Sequence, residues 1–142
     1  MELNIRISPQ KAKRFGIKVF CSPDGREETP IAVDLESQTV TIQLDKTGRT
    51  SEQYKSFFLY RSDNPDVSAQ CAPIDVEPGK EIHLRVFLDK SVLEVFVNDS
   101  QCVSQLVYPS FPESQRIAVY SDDGEIEVLS LQSWHMFPAN QW

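Results

Sequence analysis

The amino-acid sequence predicts an all-β protein folded as an antiparallel two-sheet sandwich. Three observations lead there: apolar residues recur with period two rather than 3.6 along the whole chain, the runs are short, and Pro, Gly, Asn and Asp cluster between them. Many short strands with frequent turns and few helix signals mark a sandwich or a barrel, and the sandwich is the expectation here. The turns are irregularly spaced and no blade motif recurs, so the chain itself carries no propeller repeat.

Each element follows from its own pattern. Leu3, Ile5 and Ile7 alternate with polar neighbours, and the mostly apolar run Phe15 to Cys21 stops at Ser22-Pro23-Asp24-Gly25, a turn signal. Thr29 to Leu35 and Thr39 to Leu44 are β-branched and alternating, and Glu36-Ser37-Gln38 joins them as a hairpin. Lys46 to Asn64 reads as a loop leading into the apolar Phe57, Phe58, Leu59 and Tyr60. Val67 to Val76 contains Pro73 and is expected to be a bent or edge strand, closed by Glu77-Pro78-Gly79-Lys80.

The clearest signal is Glu81 to Asn98. Ile82, Leu84, Val86 and Leu88 point one way, Asp89-Lys90-Ser91 turns the chain, and Leu93, Val95 and Val97 form the returning face. Phe87 and Phe96 fall on the opposite face, which predicts that something covers that second side too, hence two stacked sheets. Val103 to Tyr108, Arg116 to Tyr120 and Glu125 to Trp134 follow, the last two read as a hairpin about Ser121-Asp122-Asp123-Gly124. Roughly a dozen strands are expected in one domain spanning residues 1–137, with 138–142 as a tail. Trp134 is expected in the core, and Trp142 in the tail or docked on the surface.

Composition narrows the function. The chain has 142 residues, 40% of them hydrophobic and 25% charged, enough for one core without disulfide staples or a structural metal. With 14 Lys and Arg against 21 Asp and Glu the net charge is −7, which argues against a nucleic-acid partner. No stretch approaches the roughly 18 consecutive apolar residues of a membrane span. Cys21, Cys71 and Cys102 are odd in number and lack C-x-x-C spacing, so no disulfide framework is indicated and the compartment stays open between cytoplasm and secretion.

No catalytic, cofactor or metal site is expected. A G-x-S-x-G elbow and a phosphate-binding glycine loop are both missing, and His83 and His135 fall on different strands without a cysteine pair. Asp122, Asp123, Glu125 and Glu127 lack the alternating spacing of a calcium loop and read as a solvated turn. Tyr54, Phe57 and Tyr60, beside Arg61 and Asp63, form the one aromatic and polar cluster suited to a glycan or to a neighbouring domain. Packing in the core, at a sheet edge or against another domain is the preferred account of those rings.

The run Leu84-Arg85-Val86-Phe87-Leu88-Asp89-Lys90-Ser91-Val92-Leu93-Glu94-Val95-Phe96-Val97-Asn98-Asp99 resembles the hallmark hairpin of the C-terminal β-sandwich module of glycoside hydrolase family 32, the invertases, levanases and inulinases. Val107-Tyr108-Pro109, the strand ending at Tyr120 and Val128 to Trp134 occur in that module's order, as do Phe15-Gly16-Ile17 and Val40 to Leu44 with Asp45-Lys46-Thr47. Lys90 and Lys46 stand where Arg often follows the turn aspartates, keeping the charge but not the planar fork. The resemblance implies a lectin-like or jelly-roll-like sandwich that packs on an N-terminal five-bladed catalytic propeller of the same polypeptide. None of that propeller's acidic motifs occurs here: Asn64-Pro65-Asp66 lacks the Trp-Met-Asn-Asp context, and no cysteine follows a glutamate.

The chain alone is therefore expected to be a non-catalytic module of a β-fructosidase. In that role it stabilises the propeller, borders its cleft and supplies a homodimer contact. The alternative is a stand-alone carbohydrate-binding protein with sucrose or fructan as ligand. Glu94, inside the hallmark hairpin, is read as a charged residue hydrogen-bonded at a sheet or domain boundary in preference to direct sugar contact.

Overall fold

The computed structural model describes residues 1–48 and 68–137, and among them there are ten strands and no helix. The strands are β1 (Glu2–Ser8), β2 (Arg14–Cys21), β3 (Thr29–Asp34), β4 (Thr39–Gln43), β5 (Ala69–Pro73), β6 (Ile82–Asp89), β7 (Val92–Val97), β8 (Gln101–Leu106), β9 (Arg116–Ser121) and β10 (Glu127–Trp134). They form two five-stranded sheets, one in the order β10-β1-β6-β7-β8 and the other β5-β4-β3-β2-β9, with every pair antiparallel.

Alternation builds the core. Leu3, Ile5 and Ile7 of β1, Ile82, Leu84 and Val86 of β6 and Leu93, Val95 and Val97 of β7 are fully buried from the first sheet. Phe15, Ile17, Val19, Ile31, Val33, Val40 and Ile42 meet them from the second, in one apolar cluster. Each buried side chain of this size contributes about 1.5–3 kcal/mol, so the facing rows hold the layers together. At Gly16 the backbone of β2 approaches β3 so closely that a Cβ would overlap the Ile31 carbonyl oxygen; any side chain there would push the strands apart.

The β6–β7 and β3–β4 hairpins form as the sequence predicts, with Leu84 opposite Val97 and Val33 opposite Val40. Lys90 at the first turn and Gln38 at the second adopt positive φ, and the Asp34 carboxylate accepts from the Glu36 and Ser37 N–H groups. Asn98 and Asp99, both at positive φ, turn β7 into β8, a conformation these short polar residues tolerate well. β5 is an edge strand ending at Pro73, as the proline demands.

Several expectations are corrected. β8 runs from Gln101 to Leu106 rather than from Val103 to Tyr108, because the tight Asn98–Ser100 turn starts the pairing earlier. β9 and β10 are not a hairpin: β9 pairs with β2 in one sheet and β10 with β1 in the other, so the Ser121–Gly124 turn crosses between layers. Trp134 is not core. Its register opposite Glu2 turns it to the outer face of β10, away from the second sheet, and it is 46% exposed. Phe87 and Phe96 also lie on an outer face, half-buried by each other and not by a second sheet.

Candidate functional site

Three of the residues singled out from the sequence, Tyr54, Phe57 and Tyr60, lie outside the described residues, as do Arg61 and Asp63. The fourth, Glu94, sits on the outer face of the β10-β1-β6-β7-β8 sheet. Cross-strand register sets its neighbours: Trp134, Glu2, Phe87, Glu94 and Ser104 form one row across the five strands, and Gln132, Asn4, Arg85, Phe96 and Cys102 the next. Period-two geometry puts these side chains on one side because their strand neighbours point into the core.

Within this face the Arg85 guanidinium donates from Nε (3.0 Å) and Nη2 (2.8 Å) to Glu2 Oε1 and stands 5.1 Å from the centre of the Phe87 ring. Phe87 and Phe96 meet edge to face, centroids 5.8 Å apart at 86°. The His83 ring nitrogens lie 2.9 Å from Asn4 Oδ1 and 3.2 Å from Asp99 Oδ2, while the His83 N–H donates to Asn98 Oδ1 at 2.9 Å. Arg6 pairs with Glu81 beyond it. Glu94 is half-buried, and among the described residues its carboxylate makes no hydrogen bond or ion pair. Its cross-strand neighbours are a phenylalanine and a serine, and the nearest row's cation, Arg85, is held by Glu2. The face thus combines apolar rings, a fixed guanidinium and one carboxylate with free acceptor capacity, a chemistry of contact rather than of bond cleavage.

A second constellation, which sequence reasoning missed, closes one end of the sandwich. Glu27 is fully buried, and its carboxylate accepts from Ser110 N–H (2.7 Å), Phe111 N–H (3.2 Å) and the Ser114 hydroxyl. Ser22 holds Glu27 in place, donating its own N–H to the Glu27 carbonyl and accepting the Glu27 N–H at its hydroxyl. Beside it the Arg26 guanidinium lies 3.7 Å from the centre of the Phe111 ring and pairs with Asp24 and Glu113. The effect is to tie the loop after Val107, with its Tyr108-Pro109-Ser110, to the loop before β3. Nothing near Glu27 in the chain marks it, since its carboxylate oxygens are served by residues more than 80 positions away.

The acidic run after β9 is structural. Asp123 Oδ1 accepts from Lys13 and Arg14 N–H groups, which lowers its carboxyl below the usual range, and Asp122 pairs with Arg14. Burial pushes the Tyr120 hydroxyl up to about 12, with the Asp122 charge adding to it. Among the described residues no group of three His, Cys, Asp or Glu converges as metal ligands, and the three cysteines are free.

Residues 1–135 match the family model for the C-terminal region of glycosyl hydrolases family 32. The chain belongs to that family. The levanbiose-producing levanase of Bacillus subtilis (strain 168) is 28% identical over 135 residues, 94% of this chain but 24% of the relative, so the family 32 module spans about a quarter of that protein. The fructosyltransferase from A. japonicus superposes with a TM-score of 0.71 at 16% identity, over 92% of this chain and 21% of that one. A carbohydrate binding module from Bacillus subtilis superposes with a TM-score of 0.60 at 11% identity, over 93% of this chain and 74% of its own. These two likenesses show the lectin-like sandwich fold. The match is to the C-terminal region of the family 32 enzymes, about a quarter of the length of the levanase.

Proposed function

We propose that this module serves a β-fructosidase acting on sucrose or fructans, in which it packs against the catalytic domain, stabilises it and borders its cleft. The family match over residues 1–135, at about a quarter of a levanase's length, carries the reading. The physical role is linkage: surface buried between two domains stabilises both by whatever free energy the contact supplies. On this reading the pure 142-residue chain releases no fructose from sucrose or levan, whereas steady release would overturn it. Sedimentation of the chain alone tests the homodimer contact that the family resemblance implies.

The outer face around Glu94 favours a second reading, a glycan contact. Phe87, Phe96 and Trp134 offer apolar surface for a sugar ring, and Glu94 a free acceptor for hydroxyls. The likeness to a carbohydrate binding module supports it. Titrating levan oligosaccharides while following tryptophan fluorescence decides the matter: saturable binding abolished by both Trp134→Ala and Glu94→Gln supports a glycan site, and an unchanged signal removes it.

A further inference from the structure

The outer face of the β10-β1-β6-β7-β8 sheet has no wall at either end. Its rows cross the strands and stop on β10 and β8, the two edge strands, and among the described residues no strand lies over it, since the second sheet packs on the core side. Along the Glu94 row Trp134 is exposed at the β10 end and Ser104 at the β8 end. A ligand laid along that row can continue past both edges.

The row alternates rings with hydrogen-bonding groups. From β10 to β7 it reads Trp134, Glu2, Phe87 and Glu94. Arg85 donates from Nε and Nη2 to Glu2 Oε1, which leaves Arg85 Nη1 as a donor and Glu2 Oε2 as an acceptor side by side between the two rings. Phe96 meets Phe87 edge to face and fixes that ring. Neighbouring strands lie about 4.8 Å apart, so Trp134 stands about 10 Å from Phe87 and about 14 Å from Glu94 along the row. A sugar ring is about as wide as one strand spacing. One sugar therefore cannot touch both rings, whereas a run of linked sugars can, each presenting an apolar face and a rim of hydroxyls.

We propose that this face takes the interior of a linear oligosaccharide, about three units or longer, lying across the strands from Trp134 to Glu94. The proposal rests on the glycan reading of the Glu94 face and adds which ligand that face selects: an internal stretch of chain, in preference to a free sugar or a chain end. Trp134 and Phe87 stack on two separated units, the Arg85 and Glu2 pair meets hydroxyls between them, and Glu94 accepts from hydroxyls beyond. Selection of a chain end would need a wall closing the row, and here both ends are open.

The test uses the 142-residue chain and titration calorimetry with fructose, sucrose and linear fructan oligosaccharides of increasing length. Affinity is expected to rise on the order of tenfold from the disaccharide to the longer oligosaccharides and then level off, and one long linear fructan chain is expected to take up several modules. Trp134→Ala should remove the gain with length, so that long and short ligands bind alike, and Glu94→Gln should weaken the longer ligands several-fold. Melting temperatures of both variants, whose side chains lie outside the core, separate a lost contact from a lost fold. Affinity independent of length, with one module per long chain, overturns the proposal and leaves a glycan site of the chain-end kind. A length dependence that neither variant alters places the ligand on another face and also overturns it. Absence of binding to every fructan overturns the glycan reading itself.

Discussion

Glu27 and Glu94 are the same residue type in the same sandwich, yet one is fully buried with three donors on its carboxylate and the other half-buried with none. The difference lies in what the surroundings demand. A carboxylate shut away from water is tolerated only if hydrogen bonds replace its hydration, so the loop from Ser110 to Ser114 is organised around Glu27. On the outer face water serves Glu94, and no protein group is required to. An unserved carboxylate on a half-buried face is free to meet a ligand or a neighbouring domain, whereas a served one is committed to the fold.

The largest expected effect comes from breaking the served member. Glu27→Ala leaves two part-buried N–H groups and the buried Ser114 hydroxyl without their acceptor, and should cost about 3 kcal/mol by denaturant unfolding, roughly a 10 °C fall in melting temperature for a chain of this size. Glu27→Gln keeps one acceptor but turns an amide NH2 toward N–H donors, so its loss should lie between that value and zero. Next comes Gly48, which has φ +76° and is pressed against the same carboxylate; a Cβ there would overlap Glu27 Oε1 and lie 2.8 Å from Ser110 N. Gly48→Ala is expected to destabilise by about 2 kcal/mol through strain and a displaced Glu27. If Gly48→Ala costs less in a Glu27→Ala background, the double-mutant cycle assigns that part of its effect to the shared contact with Glu27.

pH extends the comparison to groups whose titration is shifted by named partners. The Ser37 N–H and then the Glu36 N–H lower the Asp34 carboxyl against the opposing effect of burial, and the Arg14 and Lys13 N–H groups lower Asp123. Depressed folded-state values mean stability that is present above the unfolded value near pH 4 and lost as pH falls through the folded ones. Melting temperatures should therefore hold steady from pH 7 to 5 and drop below 4, with a shallower drop in Asp123→Asn. Tyr120 acts at the other end: its value is raised to about 12, so the stability it favours is present below about pH 10 and declines as pH rises toward 12. Ultraviolet titration should show one of the four tyrosines ionising late. The smallest effect belongs to Glu94→Gln, which should move stability by less than about 0.5 kcal/mol; a larger loss would reveal a partner for this carboxylate.

How far the sequence could be read depended on whether the signal was local. The β6–β7 hairpin was legible because strict alternation and a turn sit in one continuous stretch, and β3–β4 for the same reason. The family resemblance drew on that hairpin. The Ser121–Gly124 turn misled because a turn between two alternating runs looks alike whether the second strand returns beside the first or crosses to the other sheet, as it does here. Trp134 misled because a large apolar residue ending an alternating strand is normally covered, whereas its register opposite Glu2 turns it to the outer face. Within the candidate site, alternation placed Glu94 on the face of Phe96 correctly, but not its lack of partners, which depends on Arg85 being taken by Glu2 from a strand 83 residues distant.

By itself the sequence determined the strand periodicity, the inward and outward phase of each strand, the principal turns and the membership in a family of sandwich modules, because these are set by side-chain order over a few residues. Only the tertiary structure decided which strands share a sheet and which carboxylate is buried and served. Those properties arise from pairings between segments far apart in the chain, and alternation with period two carries no label for its partner.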